Sequence, residues 1–247
     1  MGHLVQGTSL LAVVMTLGLC VVLLASTASG QGVTFKKRSL LESVDVPLNP
    51  GLFGINVWKV GESSKYKVTL FHPDYLEVFH LTLSVVGEEL RESQSLFWLE
   101  TDVQPVNSQQ ERTINKILRP FGNLTRFTEG AVGEILTQVG ENPPVAVPVS
   151  MLNVQTSLPS RPARDWAQID LGQEEVRVVA GHFKTHKIRF VDTEENSADV
   201  WWANVVGPLG IVKASRNRWA LELIAHESRG SVSAIYGTPR LVISPQR

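Results

Sequence analysis

Hydrophobic positions in this chain recur mostly at a period of two. In Lys65–His72, Tyr66, Val68 and Leu70 fall on one side and Lys65, Lys67 and Thr69 on the other. That alternation marks a strand with one buried face. Leu76–Val86 repeats it, with Phe79, Leu81, Leu83 and Val85 opposite Leu76, Val78, His80, Thr82 and Ser84. His72-Pro73-Asp74-Tyr75 between the two segments has the composition of a hairpin turn. Gly87-Glu88-Glu89 is expected to end the second strand. Ser95–Asp102 then sets Leu96, Trp98 and Glu100 opposite Phe97 and Leu99.

The middle of the chain is less regular. Arg112–Gly122 suits a strand or a helix, and Pro120 stops it in either case. Ala131–Gly140, bounded by glycines, is read as a short helix. Asn142–Leu152 carries too many prolines for a central strand and is expected at an edge or in a packed loop. Ser157–Trp166 reads as a loop or linker. Strand patterns return in Glu174–Ala180, His182–Asp192, Asp199–Val205, Gly210–Ser215 and Arg218–His226. In the last of these, Trp219, Leu221, Leu223 and Ala225 alternate with Ala220, Glu222, Ile224 and His226. Turn signals about 8–12 residues apart argue for an antiparallel meander. The predicted fold is therefore mainly β: a curved antiparallel sheet, half-barrel-like, with one or two short helices or loops covering one face.

The first residues break this pattern. Leu10–Ala25 is apolar apart from Thr16, and small residues follow it. This is the layout of a secretory signal, with cleavage after Ala28 or Gly30. The run is short for a membrane span, which needs about 20 apolar residues. If it is retained, Lys36-Lys37-Arg38 would hold its C-terminal side in the cytoplasm. We read residues 1–30 as a signal peptide, 31–50 as a lead-in, 51–240 as a single β-rich domain and 241–247 as a tail. The expected location is periplasmic or otherwise exported. Membrane contact is expected only through an uncleaved N-terminal segment.

Charge and cysteine content narrow the function. Of 247 residues, Lys and Arg total 23 and Asp and Glu 24, a formal net charge of −1. Such a balance gives no general attraction to nucleic acid, and none is expected as a partner. The single cysteine, Cys20, lies inside the apolar run after Leu19, where a lipoprotein signal would require a small residue. Cleavage would leave no cysteine, excluding disulfides, a thiol nucleophile and thiolate metal sites.

No nucleophile elbow, phosphate-binding glycine loop, dinucleotide fingerprint or zinc-protease motif occurs. Ser64 and Lys67 have S-x-x-K spacing, but they open a strand rather than a helix. His182 and His186 are four apart; on a strand that places them roughly 13 Å from each other, too far to share an ion. His72, His80 and His226 have no acidic partner evident in sequence. Glu88-Glu89, Glu174-Glu175 and Glu194-Glu195 read as solvated strand ends. Asn123-Leu124-Thr125 is a formal glycosylation sequon. No catalytic residue, metal site or cofactor is assigned, and the protein is read as non-enzymatic.

Several fragments resemble a group of uncharacterised bacterial exported proteins: PLNPGLFGINVWKVG, LSVVGEE, FWLETD and VGENPPVAVPVSM. The hairpin VAGHFKTHKIRF matches that group through Val179, Gly181, Phe183, Lys184 and Thr185, with His182 in place of a small residue. DVWWANVVGPLGIVKAS matches it through Asp199, Val200, Trp201, Pro208, Leu209, Gly210, Val212 and Lys213. The same elements are similar to those of periplasmic lipoprotein-localisation carriers, the LolA/LolB-like half-barrel group. The resemblance implies a curved half-barrel whose concave face holds lipid chains, and it brings no catalytic residues with it.

The function expected is that of an exported, non-enzymatic β protein binding a hydrophobic ligand, a lipid or a lipoprotein in the cell envelope. The alternative is a structural or protein-interaction module of the envelope with no small-molecule ligand. The candidate ligand-binding residues are Trp98, Trp201, Trp202 and Trp219. Adjacent strand residues point to opposite faces, so Trp201 and Trp202 cannot enter the same core. Trp202 is expected in the core, with Trp201 against a mid-chain segment or at a cavity rim.

Overall fold

The computed structural model describes residues 58–106, 110–120, 133–148, 167–191 and 197–241. The signal-peptide and lead-in readings, the sequon, Glu194-Glu195 and the Ser157–Trp166 linker lie outside these residues. The described chain forms one curved, unclosed sheet in the order β12-β6-β5-β4-β3-β2-β1-β11-β10-β9-β8-β7. All neighbours are antiparallel except β12, which pairs in parallel with β6.

The first meander comprises β1 (Ser63–Phe71), β2 (Leu76–Arg91), β3 (Gln94–Pro105), β4 (Thr113–Pro120), β5 (Glu134–Val139) and β6 (Val145–Pro148). The second comprises β7 (Ala167–Val178), β8 (Gly181–Val191), β9 (Ser197–Trp202), β10 (Ile211–Arg216) and β11 (Trp219–Glu227). They join where β1 pairs with β11. A short β12 (Arg240–Leu241) returns to β6.

Two faces follow from the alternation. Tyr66 and Val68, Phe79 and Leu81, Leu99 and Val103, Ile117, Leu221 and Leu223 meet across the strands on one face and are almost fully buried. We call this the apolar face. Fully burying a side chain of this size stabilises by about 1.5–3 kcal/mol. Burial also holds the Tyr66 phenol far above its ordinary pKa, an effect the adjacent Ser64 hydroxyl only partly offsets. The opposite, polar face carries Lys67, Thr69, His80, Thr82, Asp102 and Glu222.

Two expectations are corrected. Ala131–Gly140 does not hold a helix in its described part: Glu134–Val139 is strand β5, bonded on one side to β4 and on the other to β6. Ile135, Thr137 and Val139 favour a pleated surface, and the two ladders satisfy the backbone without helical bonds. Nor does β2 end at Gly87-Glu88-Glu89. It passes through a bulge between Val85 and Gly87 and runs on to Arg91. The chain reverses at Glu92-Ser93, both with positive φ (47° and 66°), as a tight two-residue hairpin turn requires. Asn142–Leu152 does supply the short strand β6, next to the edge strand β12.

The C-terminal segment crosses the polar face as a strap. Ser231 N–H donates to the Gly61 carbonyl. Gly61 (φ 92°) has no room for a side chain there, since a Cβ would lie 2.8 Å from the Gly230 nitrogen. Farther along, Ser233 Oγ and Ala234 N donate to the two carboxylate oxygens of Glu100 at 2.6 and 2.8 Å. Tyr236 N donates to Gln138 Oε1 at 3.2 Å, and Arg240 N to the Pro144 carbonyl. Under and beside this segment, Leu96, Ile114, Leu118 and Ala146 give the first meander a second buried apolar set. The strap also leaves Glu100 only 3% exposed.

The two sheet edges are managed differently. β6 is covered by β12. β7 pairs only with β8 among the described residues, and its ladder is broken by a bulge between Asp170 and Gln173. There Asp170 accepts from Gly172 N and lies against His186 at 2.9 Å. A bulge with an ionised side chain discourages another strand from adding to the edge. We expect Glu100→Ala to release the strap locally. Amide hydrogen exchange at Ser231–Tyr236 should rise at least about tenfold, the loss of roughly 1.4 kcal/mol or more expected for two charge-assisted hydrogen bonds. Unchanged protection there would refute the latch.

Candidate functional site

The four tryptophans singled out from sequence do not converge. Trp98 and Trp201 lie on the polar face, while Trp202 and Trp219 lie on the apolar face. Trp98 on β3 and Trp201 on β9 are separated by five strand spacings, about 24 Å along the sheet. Trp219 is 1% exposed, within the core.

Trp201 and Trp202 take opposite faces as expected, Trp202 on the apolar one, but their burial is not the expected one. Trp201 is the buried ring, 8% exposed and part of the main core cluster. Trp202 is half-buried and donates from its indole to the Leu209 carbonyl at 3.1 Å. Gly210 lies so close to that indole that any Cβ would overlap it, and its φ of 76° independently favours glycine. The deeper burial of Trp201 comes from the curl of the second meander. β7 and β8 fold over the polar face, so that Val176, Val178 and Phe183 join Trp201 in the core and Phe183 meets His226 edge-on at 5.6 Å.

Trp201 is held from three strands. Its indole N–H donates to Glu174 Oε2 of β7 at 3.0 Å. Its register partners, Lys187 of β8 and Lys213 of β10, place their ammonium groups 4.6 and 5.1 Å from the ring centroid. Lys187 also lies 3.7 Å from Glu174 and 3.6 Å from Asp199, and Arg189 forms a two-pronged pair with Asp199 at 2.7 and 2.9 Å. Trp98 repeats the scheme in the first meander. Its indole donates to Glu89 Oε1 at 2.8 Å, Glu89 is paired with Arg91, and Lys116 stands 5.0 Å from the ring. Each arrangement ties an aromatic ring to a cation and a carboxylate across neighbouring strands.

Two of the carboxylate doublets lie within strands rather than at strand ends, while staying partly or fully exposed. Glu89 and Glu174 each hold an indole, and their position beyond a bulge gave no sequence signal. Ser64 and Lys67 point to opposite faces, and the Ser64 hydroxyl donates to the Gly207 carbonyl. His182 and His186 both lie on β8, and His186 lies against Asp170. His72 has an acidic neighbour after all, Glu77 at 3.6 Å. No cluster of three or more metal-ligating side chains occurs among the described residues.

The apolar face also buries polar groups. Thr101, Asn115 and Thr137 stand in register on β3, β4 and β5. Thr137 donates to Asn115 Oδ1 at 2.9 Å, whereas Thr101 Oγ1 and Asn115 Nδ2 make no hydrogen bond among the described residues. Each such group costs about 1–3 kcal/mol.

A group of exposed apolar side chains lies at one end of the sheet. Phe71 and Leu76 are register partners flanking the β1–β2 turn, 42% and 54% exposed. Tyr75 is 59% exposed and stacks on His72 at 4.3 Å. Val106, 52% exposed, is tied by its N–H to the Val78 carbonyl. Phe71 N also bonds the Arg218 carbonyl, bringing the β10–β11 turn alongside.

No protein-family model and no curated protein matches the chain. Solved structures do. One similar structure is a Bacteroides fragilis protein described as exported and YmcC-like in fold, at 12% identity and TM-score 0.35, covering 70% of this chain and 99% of that one. Another is a Parabacteroides distasonis protein described as a lipoprotein, at 10% identity and TM-score 0.34, covering 70% and 98%.

The Arg189–Asp199 pair makes a pH prediction. The Arg189 guanidinium holds the Asp199 carboxyl below its usual range, against a smaller opposing effect of burial. A lowered native pKa stabilises fully above the unfolded value, about 3.9, and the contribution is lost as pH falls through the lowered native value. Urea midpoints followed downward from pH 6 should therefore fall less steeply in Asp199→Asn than in the parent protein. Parallel curves would show that the pair does not contribute.

Proposed function

We propose that this is an exported, non-enzymatic protein of the cell envelope that docks an envelope component through the exposed apolar end of its sheet. The observation that carries the reading is the cluster of Phe71, Tyr75, Leu76 and Val106, each more than two-fifths exposed. Large apolar side chains grouped in this way mark interaction surfaces. The apolar run at Leu10–Ala25 and the small residues after it support export.

The carrier-like reading placed a lipid against the apolar face. That face is occupied by the protein's own side chains: Val68, Phe79, Val85, Ile117 and Leu223 are each 0% exposed. A hydrophobic ligand remains the second reading, with its binding site moved from the sheet interior to the same exposed end.

Native mass spectrometry of the full chain purified from its own envelope separates these readings. We expect a non-covalent protein partner, lost in Tyr75→Ser/Leu76→Asp with affinity reduced at least about tenfold. A lipid-sized adduct lost in the same variant would establish the second reading instead. A clean monomer mass would overturn both.

A further inference from the structure

The β1–β2 turn that presents Tyr75 and Leu76 is organised around one histidine. His72 N–H donates to the Tyr75 carbonyl at 3.0 Å across the turn. The imidazole stacks on the Tyr75 ring, with 4.3 Å between centroids and 16° between planes. Its Nε2 is buried and makes no hydrogen bond among the described residues. Glu77 Oε2 stands 3.6 Å from that nitrogen. The separation is too long for a hydrogen bond, yet close enough for an ion pair once the ring is charged.

Glu77 is itself fixed in place. It is the register partner of Leu70 on β1, and its other carboxylate oxygen accepts from Gln110 Nε2 at 3.0 Å. Its side chain is 16% exposed and that of His72 35%. A pair shielded to this degree is screened less than one at the open surface. The other charges around the turn are placed differently. Asp74 is in the turn itself and exposed. Glu111, next to Gln110, lies toward Gly140, where a Cβ would meet its Oε1 at 2.7 Å. The β10–β11 turn alongside carries Arg216 and Arg218.

Histidine is the side chain that changes charge between about pH 5 and 8. With both ring nitrogens protonated, His72 directs a charged donor from Nε2 at Glu77. The stack gains as well, because a positive charge over an aromatic face is attracted to it. We propose that His72 is a proton-operated clasp on the docking end: with the imidazole charged, its pair with Glu77 orders the turn that carries Tyr75 and Leu76. The purpose of the clasp rests on the docking role proposed above, whereas the clasp itself is a property of the free chain. The ion pair exists only while the ring carries its proton. The added order is therefore present in acid and is lost as pH rises through the histidine range. A turn already ordered loses less conformational freedom when a partner docks, so docking strengthens on acidification.

The test follows the free, full chain by NMR from about pH 8 to about pH 5. Protection of the His72 amide, corrected for the pH dependence of intrinsic exchange, should rise at least about threefold, as a partly shielded ion pair allows. The order parameter of the Tyr75 amide should rise with it. His72→Gln and Glu77→Gln should each abolish the rise, and the second keeps an oxygen for Gln110. Asp74→Asn and His80→Gln should leave it unchanged. Protection that stays flat with pH, or a rise that survives Glu77→Gln, would overturn the proposal. The complex expected in native mass spectrometry is a separate readout. Its absence beside an intact rise in protection would overturn the docking reading and leave the clasp standing.

Discussion

The pairing of β1 with β11 is the constraint on which the architecture rests. Each meander is locally connected, one strand to the next, but only this ladder makes them one sheet with a continuous apolar face. Tyr66, Val68 and Leu70 meet Leu223, Leu221 and Trp219 across it, all nearly or fully buried. The ladder shifts register between Lys65 and Tyr66. A slip of one residue anywhere else would turn Val68 and Leu221 outward and expose the centre of the core. The same register aligns Glu222 with Lys67 on the far side, so the pairing that closes the core also orders the polar face.

The two faces were legible to different degrees. β11 from Trp219 to Ile224, β1 from Lys65 to Phe71 and β2 from Val78 to Leu83 alternate because one side of each packs and the other is more exposed. β5 was misread because its burial does not alternate: Ile135, Thr137 and Gln138 are all buried, and its strand character comes from ladders with β4 and β6 rather than from its own pattern. The extension of β2 past Gly87 was hidden by a bulge, where a glycine and two glutamates look the same as a turn.

The tryptophans show where sequence reasoning stops. Opposite faces for Trp201 and Trp202 follow from strand geometry alone, and Asp199 correctly marked the face of Trp201 as polar. What alternation cannot express is that another pair of strands folds over that face. Glu174 lies 27 residues from the indole it holds, and Glu89 lies across a hairpin from Trp98. Each contact depends on register and curvature together. The exposed cluster of Phe71, Tyr75, Leu76 and Val106 was equally silent, because an apolar residue at a strand end has the same sequence signature whether it is covered or bare.

The strap has a consequence for how the chain is made. Glu100 and Gln138 are synthesised well before Ser233, Ala234 and Tyr236, so until those residues emerge the first meander carries a carboxylate and an amide oxygen that lack their strap donors. Its outer strand, β6, likewise waits for Arg240 and Leu241. A nascent chain can build both meanders, yet the last dozen or so described residues seal the first. The stability of the earliest-made half is thus set by the latest-made segment, and a prematurely terminated product would differ from the complete protein at its oldest strands rather than at its newest.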